Sequence, residues 1–259
     1  MTARLEAART IAIEAGRILM GHHGRLAGYD EKSPIDLVTI ADRESEAFIS
    51  RALREAFPDD PQILEESGGR AGAIERRQAE LAWCVDPLDG TTNFVHGYPF
   101  FAVSIGLLQR GRPVLGVIHA PALRETFVGG HHHPATLNGA PIHVSKVSTV
   151  SRALLATGFP YDRRERLDEL LASIRRALMA AHDLRRAGSA ALDLCSVAAG
   201  RIDGYFEVNL APWDLAAGAA ILDAAGGKLT GGKGQPFDIY GPRVIATNGL
   251  IHDAVEEIA

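Results

Sequence analysis

Apolar and polar residues alternate along this chain with two different spacings. Apolar residues at helical spacing predict an amphipathic helix over the first twenty residues and a second helix from near Thr39 to just before Pro58. Between residues 80 and 145, short apolar runs bounded by polar residues predict strands, and Asn138-Gly139 is a two-residue hairpin signal. This part of the chain is therefore predicted to form a mostly antiparallel sheet.

After about residue 150 the apolar pattern changes to an alternation of strands and helices. A helix is predicted over Arg164–Ala181, and two more in the small-residue segments GSAALDLCSVAAG and PWDLAAGAAILDAAGG. ALLAT, DGYFEV, GKLT and VIATN are predicted strands, and a last helix ends the sequence. The alternation favours a sheet covered by helices. Since neither a repeat nor a linker is apparent, we expect one domain over residues 1–259, with halves 1–150 and 151–259.

Composition and charge narrow the class of protein. The 259 residues are 46% hydrophobic, enough for a large core, and the net charge is −5, which does not suggest a nucleic-acid or anionic-membrane surface. No apolar run reaches the roughly 20 residues that span a bilayer. Glu6 and Glu14 interrupt the N-terminal apolar residues, unlike a signal peptide, so we expect a cytoplasmic protein. Cys84 and Cys195 lie in apolar segments and are expected to be buried free thiols.

The segment WCVDPLDGTTNF places Asp86 and Asp89 at the end of a predicted buried strand. Two carboxylates about 4 Å apart repel by roughly 4 kcal/mol at an effective dielectric near 20, so a proton or a cation is expected between them. Pro87 stiffens the turn, and Gly90 allows the N–H groups after it to face an anion. This combination suggests metal-assisted phosphoryl chemistry. The alternative is that both aspartates only cap a turn and a helix start.

Further acids lie in three other segments. Glu65 and Glu66 follow an apolar pair in ILEESGG, and Asp214 lies in the first turn of a small-residue helix. Asp214 could simply complement the helix dipole. Asp42 lies three residues after Thr39 and could simply complete a capping box. Spacing alone does not show that these segments meet in space.

Four segments together resemble the inositol monophosphatase family, in order and over nearly the whole chain. They are WCVDPLDGTTNFVH, PWDLAAGAAILDAAGG, ILEES and KSPIDLVTIAD. The resemblance implies a layered α-β-α-β-α sandwich of the sugar-phosphatase type, in the α+β class. It also implies a Mg²⁺-dependent enzyme that works as a homodimer.

The resemblance assigns roles to particular residues. The positions that match the family's metal ligands are Glu65, Asp86, Asp89, Asp214 and the backbone carbonyl of Leu88. The catalytic group comprises Glu65, Thr91, which helps to hold the attacking water, and Asp42, the carboxylate partner of Thr91. The substrate-binding positions are Asp89, Gly90, Thr91, Glu207 and the main chain of Ala190, with the backbone of Gly90 and Thr91 around the phosphate. Glu66 matches a second acid near the metals, and Lys32 lies in a loop that covers the site.

The implied activity is hydrolysis of myo-inositol 1-phosphate by a metal-activated water, so the expected partner is a small phosphate monoester. The nearest rivals are relatives that act on histidinol phosphate, 3′-phosphoadenosine 5′-phosphate or fructose 1,6-bisphosphate. The first and second of these tend to have a lysine after Asp-Gly-Thr, whereas this chain has Thr92 followed by Asn93. A rival of another class is a regulatory binding protein. No nucleic-acid or membrane partner is expected.

Overall fold

The computed structural model of the chain describes residues 1–25, 28–33 and 36–259, and the side chains of residues 31–33, 36 and 37 lie outside that description. The expectation for the side chain of Lys32 therefore falls outside the described part of the chain.

The described residues form helices and strands as follows. The helices are α1 (Thr2–His22), α2 (Ile40–Ala56), α3 (Glu65–Glu75), α4 (Thr91–Val95), α5 (Leu167–Ala180), α6 (Ala190–Ala198), α7 (Pro212–Ala224) and α8 (His252–Ile258). The strands of the first half are β1 (Asp30–Ser33), β2 (Asp36–Val38), β3 (Gln62–Leu64), β4 (Ala82–Asp89), β5 (Ala102–Gln109), β6 (Arg112–Ala120), β7 (Glu125–Gly130), β8 (His133–Leu137) and β9 (Ala140–Pro141). Those of the second half are β10 (Leu154–Thr157), β11 (Asp183–Arg185), β12 (Gly204–Val208), β13 (Lys228–Gly232), β14 (Gln235–Pro236) and β15 (Arg243–Thr247).

A seven-stranded sheet dominates the first half, in the order β3-β4-β5-β6-β7-β8-β9. β3 runs parallel to β4 and the other neighbours are antiparallel, which confirms the sheet predicted between residues 80 and 145. Asn138 and Gly139 have positive φ angles of 51° and 84°, as the predicted two-residue turn requires. α1 and α2 cover one face of this sheet around the buried side chains of Trp83 and Ile105.

A six-stranded sheet forms the second half, in the order β11-β10-β12-β15-β13-β14. α6 and α7 lie between the two sheets, in a core that takes residues from both. α5 and α8 cover the outer face of the second sheet. The order of layers is therefore α-β-α-β-α, which confirms the predicted fold class.

α7 lies unusually close to the first sheet because both surfaces are made of small residues. A Cβ added at Gly106 in β5 would lie 2.8 Å from the Cβ of Ala216, and one added at Gly116 in β6 would lie 2.1 Å from the carbonyl oxygen of Ala217. Only glycine fits at these positions. This close packing fixes the first turn of α7, and with it Asp214, against the strands of the first half.

Some elements were not predicted or differ in their bounds. β3, α3 and β11 were not predicted as elements, and the predicted helix Arg164–Ala181 begins at Leu167 because residues 161–165 form turns. Cys84 and Cys195 are buried free thiols, as predicted. Among the described helices, none combines the length and apolarity that a bilayer crossing requires. The division into halves 1–150 and 151–259 within one domain stays a prediction.

Candidate active site

Three aspartates from two distant segments meet at one point of the molecule. Asp86 and Asp89 lie in the last part of β4, and Asp214 lies in the first turn of α7. One carboxylate oxygen of each residue lies within 4.8 Å of the corresponding oxygens of the other two. The structure therefore brings together acids that are 125 residues apart, counted from Asp89 to Asp214.

An irregularity in β4 explains how Asp86 and Asp89 reach the same side. Residues three apart in a regular strand point to opposite faces, but the pairing of β4 with β5 shifts between Asp86 and Asp89. Such a bulge re-aims a side chain. The N–H of Leu88 donates to Asp86 Oδ1 at 2.9 Å, and the hydroxyl of Ser45 donates to the carbonyl of Pro87 at 3.0 Å. These two bonds hold the bulge in place.

Glu65 reaches the same cluster because of the parallel pairing of β3 with β4. Leu64 lies opposite Val85, so the next residue along each strand brings Glu65 beside Asp86. The two carboxyl groups are hydrogen-bonding neighbours. Glu65 is thus a fourth acid of the cluster, although β3 was not predicted from the sequence.

A buried glutamate of α2 holds the start of α3. The Glu46 carboxylate accepts hydrogen bonds from the backbone N–H groups of Glu66 at 2.7 Å and Ser67 at 2.9 Å. The first N–H groups of a helix lack partners within the helix, so Glu46 satisfies two of them directly after Glu65. Glu46 is 5% exposed and was not singled out from the sequence.

The electrostatics of the cluster favour a bound cation. Burial, followed by the charges of Glu65 and Asp89, raises the pKa of Asp86 well above its ordinary range, and the same causes act on the pKa of Asp214. Several close carboxylates cannot all ionise without positive charge nearby. The cluster offers only oxygen donors, which suits a hard divalent cation. The residues present therefore fit a metal site.

Asp42 and Thr91 form a hydrogen-bonded pair beside this cluster. The Thr91 hydroxyl lies 3.1 Å from Asp42 Oδ1 and 3.0 Å from the carbonyl oxygen of Leu88. The other Asp42 oxygen accepts from the backbone N–H of Thr39 at 2.8 Å and from its hydroxyl at 2.6 Å. Asp42 therefore completes the capping box considered for it and also contacts Thr91. Burial raises the pKa of Asp42, and the hydrogen bonds from Thr39 oppose that rise.

Gly90 makes the tight connection between β4 and α4. Its φ of 93° lies in the left-handed region, where glycine is favoured. A Cβ at this position would lie 2.9 Å from the carbonyl oxygen of Phe100. Asn93 of α4 donates through Nδ2 to the carbonyls of Phe100 at 2.7 Å and Ala187 at 2.9 Å, which ties α4 to the loop before α6.

A second group of residues surrounds Asp89 on its other side. Ser189 caps α6, and its hydroxyl donates to Asp89 Oδ2, which also accepts from the N–H of Ala191 at 2.8 Å. Burial raises the pKa of Asp89 to about 6, although these donors lower it. In β12, the Tyr205 hydroxyl donates to Glu207 Oε2 at 2.5 Å, and burial raises the pKa of Glu207 to about 7.

Most of the predicted site residues line one pocket of about 620 Å³. Those that line it are Glu65, Asp89, Gly90, Thr91, Ala190, Glu207 and Asp214. Asp42, Asp86 and Leu88 contact this lining from behind, through Thr91 and Glu65. A neighbouring cleft of about 700 Å³ along α2 contains Glu66 but no other residue predicted for the site among those that line it. We assign the site to the smaller pocket because the acids converge there.

Two further residues that line the pocket were not predicted from the sequence. Asp193 is 3% exposed, and burial, then the charges of Glu207 and Asp89, raise its pKa well above the ordinary range. It is the one acid in the small apolar run GSAALDLCSVAAG, which was the available signal. Arg186 stacks over Phe159 at 5.0 Å from the ring centroid and lowers the pKa of Asp89 and Glu207. No sequence pattern indicated Arg186.

Comparisons with known proteins agree with this fold and site. The model of the "Inositol monophosphatase family" matches residues 1–259. An inositol-1-monophosphatase from Synechocystis is 41% identical over 254 residues, which cover 98% of this chain and 87% of that protein. A putative Nus factor SuhB from Neisseria meningitidis is 39% identical over 246 residues, with 94% and 93% covered. The solved inositol monophosphatase from Anabaena has a TM-score of 0.88 and 42% identity, covering 99% of this chain and 95% of its own.

The layered fold, the acidic pocket and these matches define a phosphatase by class. The chain belongs to the inositol monophosphatase family, as its resemblance indicated. That family is metal-dependent, in agreement with a cluster of acids that could bind a metal.

Proposed function

We propose that the chain is an inositol-1-monophosphatase, which hydrolyses myo-inositol 1-phosphate to inositol and phosphate with Mg²⁺ as its cofactor. The observation that carries this proposal is that Asp86, Asp89 and Asp214 converge beside a pocket that also contains Glu207. A polyol phosphate has a dianionic part and a part rich in hydroxyl groups. Clustered acids suit a cation that binds the first part, and a buried carboxylate suits the second.

The proposed ligands of Mg²⁺ are the carboxylates of Glu65, Asp86, Asp89 and Asp214 and the carbonyl of Leu88. When bound, divalent cations neutralise the phosphate, lower the pKa of a water and stabilise the leaving oxygen. The support from the chain itself is an oxygen-only donor set in which burial and mutual repulsion raise the pKa of Asp86 and Asp214. Since Asp86 already accepts the N–H of Leu88, its carboxylate is oriented before any ligand arrives.

Thr91 and Asp42 are proposed to position the attacking water. If the Thr91 hydroxyl donates to Asp42 Oδ1, lone pairs on Thr91 Oγ1 remain to accept a hydrogen from a water. The water oxygen then forms a bond to phosphorus while the bond from phosphorus to the inositol oxygen breaks, and the departing oxygen takes up a proton. Asp42 is held by Thr39, so the pair is preorganised. The backbone of Gly90 and Thr91 is proposed to contact the phosphate.

Asp89, Glu207 and the main chain of Ala190 are proposed to bind the inositol hydroxyl groups. One Glu207 oxygen accepts the Tyr205 hydroxyl, which leaves the other oxygen for a substrate hydroxyl. Asp89 Oδ2 is occupied by Ser189 and Ala191, so Oδ1 is the atom of Asp89 that is available to substrate or cation. These acceptors favour a substrate that donates several hydrogen bonds.

A panel of phosphate monoesters tests this proposal. We expect the highest kcat/KM with Mg²⁺ for myo-inositol 1-phosphate, compared with histidinol phosphate, 3′-phosphoadenosine 5′-phosphate and fructose 1,6-bisphosphate. Activity should disappear with a chelator and return on addition of Mg²⁺. A tenfold preference for histidinol phosphate would overturn the substrate but keep the reaction type. Full activity after chelation would overturn the metal site.

A regulatory binding protein is the second candidate, because one relative is named as a putative Nus factor. The experiment that separates the two is capture of partners on the immobilised chain, run beside a phosphate-release assay on the same preparation. Hydrolysis without specific capture supports the enzyme. Specific capture that persists in a preparation without hydrolysis supports the regulator.

We also propose that the chain forms a homodimer, as the family resemblance favours, and that it works in the cytoplasm. Sedimentation velocity of the purified chain measures the first property directly. A single species with the mass of one chain at every concentration would contradict it.

A further inference from the structure

Asp193 is a buried acid of the pocket to which the proposed reaction assigns no role. It lies in α6, three residues after Ala190 and four after Ser189, so the three residues share one face of the helix. Its exposed fraction is only 3%, and it is one of the residues that line the pocket. The small part of its side chain that the protein leaves uncovered therefore faces the pocket.

The carboxylate of Asp193 differs from its neighbours because no protein group donates a hydrogen bond to it within the part of the chain that the structure describes. Asp89 accepts hydrogen bonds from the start of α6, and Glu207 accepts one from Tyr205. Four side-chain polar atoms among the described residues are closed off from solvent without a partner, and none of them belongs to Asp193. Its oxygens are therefore open to the pocket, where a ligand can reach them.

Glu207 is the acid whose charge acts most strongly on Asp193, and the protein holds it in a fixed position. A Cβ at Gly158 would collide with the carboxylate of Glu207, so this carboxylate packs directly on the bare backbone of the glycine. The Tyr205 hydroxyl donates to Glu207 Oε2. The acceptors that remain on this side of the pocket are therefore the other oxygen of Glu207 and the neighbouring carboxylate of Asp193.

Arg186 already supplies positive charge to this half of the pocket. Its guanidinium lies over the ring of Phe159, and its charge opposes the rise in the pKa of Asp89, Asp193 and Glu207. What Asp193 lacks is therefore a hydrogen-bond donor rather than another cation. A buried acceptor without a donor is unfavourable, and a hydroxyl group of the substrate is a donor that carries no charge.

We propose that Asp193 accepts a hydrogen bond from a substrate hydroxyl next to the one that Glu207 binds, and that this contact selects phosphate monoesters with neighbouring hydroxyl groups. The inference rests on the proposed function, because it concerns the same pocket and the same reaction. The two acceptors lie on α6 and β12, which are rigid elements, so they distinguish substrates by the spacing of their hydroxyl groups. A substrate with one isolated hydroxyl, or with none, would use at most one of them.

The first test measures KM and kcat of Asp193→Ala and Asp193→Asn with myo-inositol 1-phosphate and with p-nitrophenyl phosphate. Loss of the acceptor should raise KM for the inositol ester about fiftyfold in the alanine variant, with kcat within about threefold of the unchanged chain. The asparagine variant keeps a neutral acceptor oxygen, so its KM should rise only about fivefold. Neither constant should change more than about twofold for p-nitrophenyl phosphate, which has no hydroxyl group to donate.

The second test locates the contact with monodeoxy analogues of myo-inositol 1-phosphate, each of which lacks one hydroxyl. If Asp193 binds a particular hydroxyl, the unchanged chain and Asp193→Ala should have the same kcat/KM for the analogue without it, while the other analogues keep the difference. Glu207→Gln should lose its effect with the analogue that lacks an adjacent hydroxyl. Equal impairment of Asp193→Ala on every analogue would overturn the direct contact.

A purely structural role for Asp193 predicts different results. Because the acid has no donor in the described protein, Asp193→Asn should unfold at the same or a higher temperature, whereas loss of a structural hydrogen bond would lower that temperature. Ser196→Ala is the matched control, at a partly buried position of the same helix that is not among the lining residues of the pocket, and it should keep KM and kcat for both esters. A lower unfolding temperature together with equal losses on both esters would overturn the inference in favour of packing.

The remaining outcomes separate this inference from the proposed function. An unchanged chain that prefers myo-inositol 1-phosphate, with KM unaffected in Asp193→Ala, overturns the role of Asp193 and leaves the function standing. An asparagine variant as impaired as the alanine variant would mean that the pocket requires a charge there, and would overturn the hydroxyl as the group bound. If the unchanged chain prefers another polyol phosphate, the same measurements with that ester decide the role of Asp193, although the proposed substrate has failed. A preference for an ester without neighbouring hydroxyl groups would overturn both.

Discussion

The acids on the two sides of the pocket have different neighbours, which shift their pKa values differently. On the metal side, which comprises Glu65, Asp86 and Asp214, the acids have each other as neighbours, and all the main influences on Asp86 raise its pKa. On the substrate side, the protein supplies donors and a positive charge. Tyr205 donates to Glu207, and the guanidinium of Arg186 lowers the pKa of Glu207. Asp89 belongs to both sides.

This difference indicates which side needs a ligand to be complete. Repulsion among buried carboxylates destabilises the metal-free protein, so a bound cation would stabilise the metal side. On the substrate side, Asp89 Oδ2 and Glu207 Oε2 already accept hydrogen bonds from the protein, so these two acids are preorganised before substrate arrives. Substitutions on the metal side should affect turnover and metal-free stability in opposite directions. Those on the substrate side should change which substrate is preferred.

The largest effect is expected from Asp86→Asn. We expect kcat to fall by about three orders of magnitude, because metal assistance supplies several kcal/mol, while the metal-free variant unfolds at the same or a higher temperature. Phosphate release and thermal unfolding with a chelator measure the two properties. Asp223→Asn, on the exposed side of α7, is the control and should change neither. Near-normal turnover of Asp86→Asn at saturating Mg²⁺ would refute the assignment.

A smaller loss is expected from Thr91→Ala. Without the hydroxyl, the water loses its acceptor and Asp42 Oδ1 loses a donor, so kcat should fall about a hundredfold with little change in KM. Thr91→Ser keeps the hydroxyl and should recover most of the activity. If serine and alanine were equally impaired, the role of Thr91 would be structural packing.

Substrate-side changes should alter preference rather than abolish turnover. Glu207→Gln loses a charged acceptor for a substrate hydroxyl, so kcat/KM for myo-inositol 1-phosphate should fall about tenfold, the equivalent of about 1.4 kcal/mol. The value for p-nitrophenyl phosphate, which offers no hydroxyl donors, should fall much less. Asp193→Asn tests whether the neighbouring acid shares this role. Equal losses on both substrates would contradict the division into two sides.

The sequence predicted the layers of the fold better than the arrangement inside the pocket. Helical spacing and small-residue runs were sufficient for α1, α2, α6 and α7, because each of them buries a continuous face. β3 was not predicted because three residues are too short for a period to appear. The capping box considered for Asp42 and the helix-dipole role considered for Asp214 were physically sound. Asp42 accepts the N–H of Thr39, and Asp214 accepts the N–H of Ala211 at the start of α7. Local spacing therefore could not distinguish a cap from a site.

The convergence of the acids depends on contacts between distant segments. Asp89 is held by Ser189, a hundred residues later, and Glu65 reaches Asp86 through a strand pairing. Such contacts leave no periodic trace in the sequence, so only the family motifs could suggest them. No feature of the sequence predicted that Arg186 lines the pocket, because an arginine in a polar loop is ordinary.

The smallest effect is expected from Glu46→Ala, which tests how the metal side is held. Glu46 accepts the N–H groups of Glu66 and Ser67, so its loss frees two donors at the start of α3 and should lower the free energy of unfolding by about 1–2 kcal/mol. Because Glu65 begins that helix, half-maximal activity should require several times more Mg²⁺, while kcat at saturation is largely kept. Glu55→Ala, an exposed change on the same helix, is the control. If both variants required the same Mg²⁺ concentration, α3 would be positioned by its packing and not by Glu46.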